Sequence, residues 1–398
     1  MFLIRSTHLI SQSSPSRLIF ASIIAMILLV TSLCLSTFIR GTPFSFFSFA
    51  LFSAASAAIT SGSLCTAVFA GASLLGASFL QTVISGQAAV AVAVSAVQVA
   101  SSIISLWGSS PGPVSMKVVR ADARDGQAEE KAARIFLGVS AIFLGITLVA
   151  YTWLTRQPFY KSVIGALKPH HEVGDTDERT GLVADDRRNS PTEPNSHVYQ
   201  VFRQNLIFMF SIAYVFAVTL VSAYFIAFDC SLTDRVFNQA VYPAITVRVR
   251  SMDPGIHPLL FSAVHFLVFN TGDLVGRYSC SFPRLVVWSA RKILVMSLLR
   301  TLFIPLILLC NVLRPATATP VSPIIGSDIL FMVIMLTMGY TNGFVSSLAL
   351  LAVSSLEHNP RLKGRREYVD IAATLGGSFV NAGLAFGALS SFGVQAMI

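Results

Sequence analysis

The sequence predicts an all-α, polytopic membrane protein, and three observations carry that prediction. Apolar residues fill 54% of the 398 positions and charged residues only 12%, with a mean hydropathy of +0.70, well away from an ordinary soluble domain. No charged residue occurs between positions 41 and 116, which is far more than the roughly 20 residues one spanning helix needs. The basic residues behind the net charge of +9 sit between the apolar runs and at their edges. That is how membrane orientation is encoded, and no basic patch interleaved with aromatics suggests nucleic acid.

Taken in order, the chain reads as nine spans. The run 18–39 exceeds the roughly 7–15 apolar residues of a cleavable signal, so it is a span. The uncharged stretch divides into 44–70 and 81–107, with a Gly- and Ser-rich bend between them that includes Gly71 and Gly76. Residues 117–134 read as a charged linker and 136–154 as the fourth span. The segment 156–196 is dense in Asp, Glu, Arg, Pro and Asn; it cannot bury enough apolar surface to fold alone and reads as a disordered tether. Five more runs follow at 205–228, 259–281, 293–313, 325–351 and 368–396. The organisation is therefore an N-terminal bundle over 1–155, a polar inter-bundle loop over 156–199 and a C-terminal bundle over 200–398.

Sidedness follows from Lys and Arg. With the N-terminus inside, the inner face receives Arg5 and Arg17, the basic residues around the long loop, Arg277, Arg284, Arg291 and Lys292, and then Arg361, Lys363, Arg365 and Arg366. These are most of the 28. The remainder, Arg300 among them, falls to the outer side, and the C-terminus lies outside.

The stretch most in need of explanation is Phe269-Asn270-Thr271-Gly272-Asp273-Leu274-Val275-Gly276-Arg277. It ends the apolar run that begins at position 259, and each charge in such a helix costs about 2.5–3.5 kcal/mol at the bilayer centre. Asp273 and Arg277 are four apart, hence on one face and able to pair. Asn270 lies one turn earlier on that face. Gly272 and Gly276 let a neighbouring helix approach the backbone closely. A paired polar stripe within the membrane is a substrate-site hypothesis; the plainer alternative is a structural pair with Arg277 reaching for the interface.

Phe-Asn-x-x-Asp-x-x-Gly-Arg resembles the eighth-helix motif of the equilibrative nucleoside transporters. Gly86-Gln87 is similar to a Gly-Gln pair of that family's fifth helix, and Tyr242-Pro243-Ala244-Ile245-Thr246 to its Phe-Pro-Ala-x-Thr segment. Gly339-Tyr340-Thr341-Asn342-Gly343-Phe344-Val345-Ser346-Ser347-Leu348 resembles the tenth-helix signature, whose small residues are read as packing. The glycine-spaced end of the last span, Gly383 to Phe392, resembles the eleventh helix. The resemblance implies a major-facilitator-type bundle that moves nucleosides, with nucleobases as a further class, down their gradient by alternating access. It also implies a substrate site of Gln87, Asn270, Asp273 and Arg277. The partners it implies are a nucleoside and the lipid bilayer, in a plasma, vacuolar or lysosomal membrane. Gln87 on its residue chemistry needs partners for two donors and an acceptor, from a base edge or from another helix; the resemblance favours the base.

The family has eleven spans where nine are counted, so the first two lack counterparts, along with an aromatic that helps wall the nucleoside site. The expectation is that two more N-terminal helices complete the functional protein and that this chain alone transports poorly. Two alternatives stand beside transport: a non-transporting membrane protein or partner subunit, and a proton-coupled permease for another small polar solute. For the latter, His265 and Asp328 are candidate protonatable groups, with a core histidine as the plainer reading of His265. No cofactor is expected. Neither a Walker loop, zinc spacing, a nucleophile elbow nor a dinucleotide fingerprint occurs, and the five cysteines form no disulfide framework, so no enzyme is expected.

Overall fold

Proline decides where several helices begin, because its fixed φ and missing N–H suit the first helical position. In the computed structural model, which describes residues 15–38, 43–106, 118–165, 194–224, 249, 251–253, 255–256, 258–311, 324–362, 364–365 and 367–397, five helices start at a proline. These are α1 (Pro15–Ser36), α2 (Pro43–Leu75), α5 (Pro158–Gly165), α6 (Pro194–Tyr224) and α7 (Pro258–Ser279). Between them lie α3 (Ala77–Leu106) and α4 (Val118–Arg156). After them come α8 (Ala290–Leu299), a 3-10 turn (Arg300–Leu302), α9 (Phe303–Leu308), α10 (Asp328–Ser354) and α11 (Glu367–Met397). Ser327 caps α10 by accepting from the Leu330 N–H, with Asp328 in the positive first turn. No β-strand occurs among the described residues, and the protein is an all-α polytopic membrane protein.

Seven described helices are long and apolar enough to cross a membrane. The other two expected spans are also helical, and each falls short for a visible reason. Helix α7 carries the polar stripe. The run 293–313 is interrupted: α8 has 10 residues and α9 has 6, with Pro305 withholding an N–H from the ladder where the chain tightens into the 3-10 turn.

Three expectations are corrected. The bend after α2 is Gly76 alone, at φ +121, a backbone conformation that disfavours side chains; Gly71 stays inside α2. The charged linker is helix from Val118 onward, continuous with the fourth span, because Ala, Glu, Lys and Arg are strong helix formers. The inter-bundle loop contains α5 at its start and the first turns of α6 at its end. Its centre lies outside the described residues, as does Tyr242-Pro243-Ala244-Ile245-Thr246.

The largest core joins α2, α3, α6, α10 and α11 through residues such as Phe69, Leu80, Ile84, Met209, Ile212, Leu348 and Leu375. A second, around Phe261, Ile307, Phe331 and Met335, joins α7, α9 and α10. The N-terminal helices meet the C-terminal ones along two main seams, α3 against α7 and α2 against α11.

Candidate functional site

Helix α7 buries its polar stripe because its neighbours supply partners. The Arg277 Nε donates to Asp273 Oδ2 at 2.8 Å, the i,i+4 pair expected from the spacing. Asp273 is 5% exposed and Arg277 8%. The other carboxylate oxygen, Asp273 Oδ1, accepts from Asn342 Nδ2 of α10 at 2.7 Å.

Helix α10 reaches that carboxylate because glycine lines both helices where they cross. A Cβ added at Gly272 would meet the backbone of Leu336 and Tyr340, and one at Gly276 that of Tyr340 and Phe344. From the other side, a Cβ on Gly339 would meet Phe269 and one on Gly343 would meet Asp273. Here backbone lies directly on backbone, as small residues permit between membrane helices.

On its opposite flank α7 faces α3. Arg277 Nη1 donates to Gln87 Oε1 at 3.2 Å and to the Ile84 carbonyl at 3.3 Å. Gln81 Nε2 donates back to the Arg277 carbonyl at 2.6 Å. Further along, Asn270 Nδ2 donates to Ser95 Oγ at 2.6 Å. Of the four residues singled out in the sequence, Gln87, Arg277 and Asn270 therefore lie on the α3–α7 seam, and Asp273 sits between Arg277 and α10. Gln87, Arg277 and Asp273 form one network, while Asn270 is joined to Ser95 instead.

Several members were missed in the sequence. Asn342 sits in a stretch read as packing, yet it holds Asp273. Arg300, assigned to the outer side, is instead 1% exposed within the bundle: its Nη2 donates to Thr219 Oγ1 at 2.7 Å and to Asn342 Oδ1 at 3.2 Å. A lone arginine inside the run 293–313 was the available signal, by the same cost argument applied to Arg277. Gln81 and Ser95 carried no such signal. The two candidate protonatable groups serve other ends. His265 is fully buried among the rings of Phe261, Phe266 and Phe331. Asp328 accepts from Ser251 Oγ and from the Met252 N–H, tying the chain before α7 to the start of α10.

Donors and acceptors remain free at the centre. Neither Arg277 Nη2 nor Gln87 Nε2 donates to a described residue, Gln87 is exposed, and each Asp273 oxygen keeps a further lone pair. Such a set suits a hydroxylated, hydrogen-bonding solute.

The profile of a family described as nucleoside transporter matches residues 47–396. Equilibrative nucleoside transporter 1 of Homo sapiens is 23% identical over 304 residues, 71% of this chain and 59% of its own length. Equilibrative nucleoside transporter 2 of Mus musculus is 29% identical over 256 residues, 58% of this chain and 49% of its own. Nucleoside transporter FUN26 of Saccharomyces cerevisiae is 29% identical over 178 residues, 44% and 32% respectively. The chain thus matches 59% or less of the length of each of these relatives.

Proposed function

The chain belongs to the nucleoside transporter family, a family of transporters rather than enzymes, and on that premise we propose that it moves nucleosides across a membrane by facilitated, alternating-access transport. Ribose hydroxyls bond to Asp273 and Arg277, Asn270 lines the path beside them, and Gln87 reads the base from the other bundle. A bound nucleoside bridges helices of both halves and favours rocking between inward and outward states.

The observation that carries this reading is the double engagement of Arg277. It pairs with Asp273 on its own helix at 2.8 Å and reaches Gln87 across the seam at 3.2 Å. A solute inserted there replaces one bond on each side without stranding a buried charge. The distribution of Lys and Arg supports a cytoplasmic N-terminus and an outer or lumenal C-terminus, in a plasma, vacuolar or lysosomal membrane.

The test is uptake of radiolabelled adenosine and uridine into proteoliposomes, with a pH gradient imposed or collapsed. Uptake that is slow but saturable, and indifferent to that gradient, is expected. Uptake that collapses with the gradient marks a proton-coupled permease, and no uptake of either nucleoside overturns the proposal.

A further inference from the structure

Arg300 stands where the sequence gives no carboxylate to meet it. It lies in the 3-10 turn after α8, and no acidic side chain among the described residues is within salt-bridge distance of it. Its donors go to neutral oxygens: Nη1 to the Met338 carbonyl at 3.1 Å and Thr341 Oγ1 at 2.7 Å, Nη2 to Thr219 Oγ1 and Asn342 Oδ1. The buried Nε has no acceptor among the described residues. Among the described residues, the centre of the bundle therefore holds two guanidiniums, Arg277 and Arg300, and one carboxylate, Asp273.

A buried cation with only neutral acceptors is an expensive device, and its geometry indicates what it does. Asn342 Oδ1 accepts from Arg300 Nη2, and it competes with the Val215 carbonyl at 2.8 Å for the one proton of Thr219 Oγ1, 2.7 Å away. With the amide turned over, its NH2 would face the Arg300 guanidinium, which only donates, and its oxygen would face the carboxylate, which only accepts. Neither juxtaposition makes a hydrogen bond. The Asn342 nitrogen is thereby committed to Asp273 Oδ1, while Arg277 Nε holds Oδ2. Both carboxylate oxygens are fixed in direction, with their remaining lone pairs left for a ligand.

We propose that Arg300 is a positioning residue: by locking the amide of Asn342 it orients the Asp273 carboxylate to receive the ribose hydroxyls of a nucleoside. Arg300 acts through Asn342 and does not itself touch the substrate. The inference rests on the reading of Asp273 and Arg277 as the nucleoside site.

The experiment uses the purified full chain and measures both adenosine affinity and melting temperature. Losing a hydrogen bond to a charged group weakens binding by roughly tenfold or more, so Asn342→Leu and Arg300→Met are each expected to do so. Because the two form one relay, the double variant is expected to bind about as weakly as the weaker single. Multiplying losses, or unchanged binding in Arg300→Met, would overturn the proposal. Should Arg300→Met not fold, Thr219→Val removes, at nearly constant shape, the hydroxyl that accepts from Arg300 Nη2 beside Asn342 Oδ1. It is expected to weaken adenosine and, because Arg300 Nη2 loses an acceptor, to lower the melting temperature modestly; unchanged affinity there counts against the relay. Failure of the functional reading is distinguishable: wild-type chain binding neither adenosine nor uridine sinks that reading alone. The relay is then decided by the melting-temperature coupling between Asp273→Asn and the Arg300→Met or Thr219→Val variant. Coupling that disappears in an Asn342→Leu background supports transmission through the amide; coupling that persists there, or none at all, refutes it.

Discussion

Helix α7 meets its two neighbours in different ways. Toward α10 the contact is backbone against backbone, with Gly272 and Gly276 interleaved with Gly339 and Gly343 and no room for a methyl group. Toward α3 it carries side-chain hydrogen bonds, those of Gln81, Gln87 and Ser95 and of Arg277 to the Ile84 carbonyl, and no glycine of α3 lies under the α7 backbone, since Gly86 is exposed and a Cβ added there would meet nothing within 4 Å. Close backbone packing holds a single register, because separating the helices forfeits every contact at once. Neutral hydrogen bonds contribute only about 0.5–1.5 kcal/mol each and that of Gln87 to the Arg277 guanidinium about 1.5–3 kcal/mol, and both kinds can be exchanged for a solute. On the proposed function one flank of the site stays and the other parts, and the polar groups proposed to bind the nucleoside lie at their meeting.

The largest effect is expected from the permanent flank. Gly276→Ala places its Cβ against the Tyr340 carbonyl and the Phe344 nitrogen, where neither can yield without moving a helix. The destabilisation should exceed the ~1–3 kcal/mol usual for overpacking. Little monodisperse protein should survive detergent, whereas Gly86→Ala should behave as wild type in the same size-exclusion assay. Equal tolerance of both would erase the contrast.

Next comes the charge pair that both flanks share. Arg277→Ala leaves Asp273 buried with Asn342 as its remaining partner, at a cost of about 3–5 kcal/mol, and uptake should vanish. The swapped pair, Asp273→Arg with Arg277→Asp, should restore folding better than transport, since Asn342 and Gln87 are arranged for the native polarity. Full transport by the swap would mark a purely structural pair. The smallest effect is expected on the parting flank: Gln87→Leu should weaken nucleoside binding by roughly 1–3 kcal/mol and hardly change the melting temperature. A parallel fall in both would assign Gln87 to packing.

Much of this contrast was legible in the sequence, and what escaped has physical causes. Asp273 and Arg277 announced themselves because charges at i,i+4 in an apolar run have few explanations, and Gly272 and Gly276 foretold a close neighbour without naming α10. Asn342 was passed over because the small residues around it read as packing. They do pack, and that packing is what brings its amide to Asp273. Arg300 was counted as a boundary residue because its partners, Thr219, Met338, Thr341 and Asn342, are remote in sequence and uncharged, so no spacing rule connects them. The helical linker of α4 was read from its charge, which marks solvation, although its composition already favoured helix.

The central claim is that the α3–α7 seam opens during transport while the α7–α10 seam does not. It is tested most directly by spin labels at exposed positions, on a background without the five native cysteines. One pair joins Thr82 of α3 to Tyr278 of α7, and the other joins Tyr278 to Leu356 just beyond α10. Adenosine should shift the distance distribution of the first pair and leave the second unchanged. A shift in the Tyr278–Leu356 distance, or a Thr82–Tyr278 distance indifferent to saturating adenosine, would contradict the account.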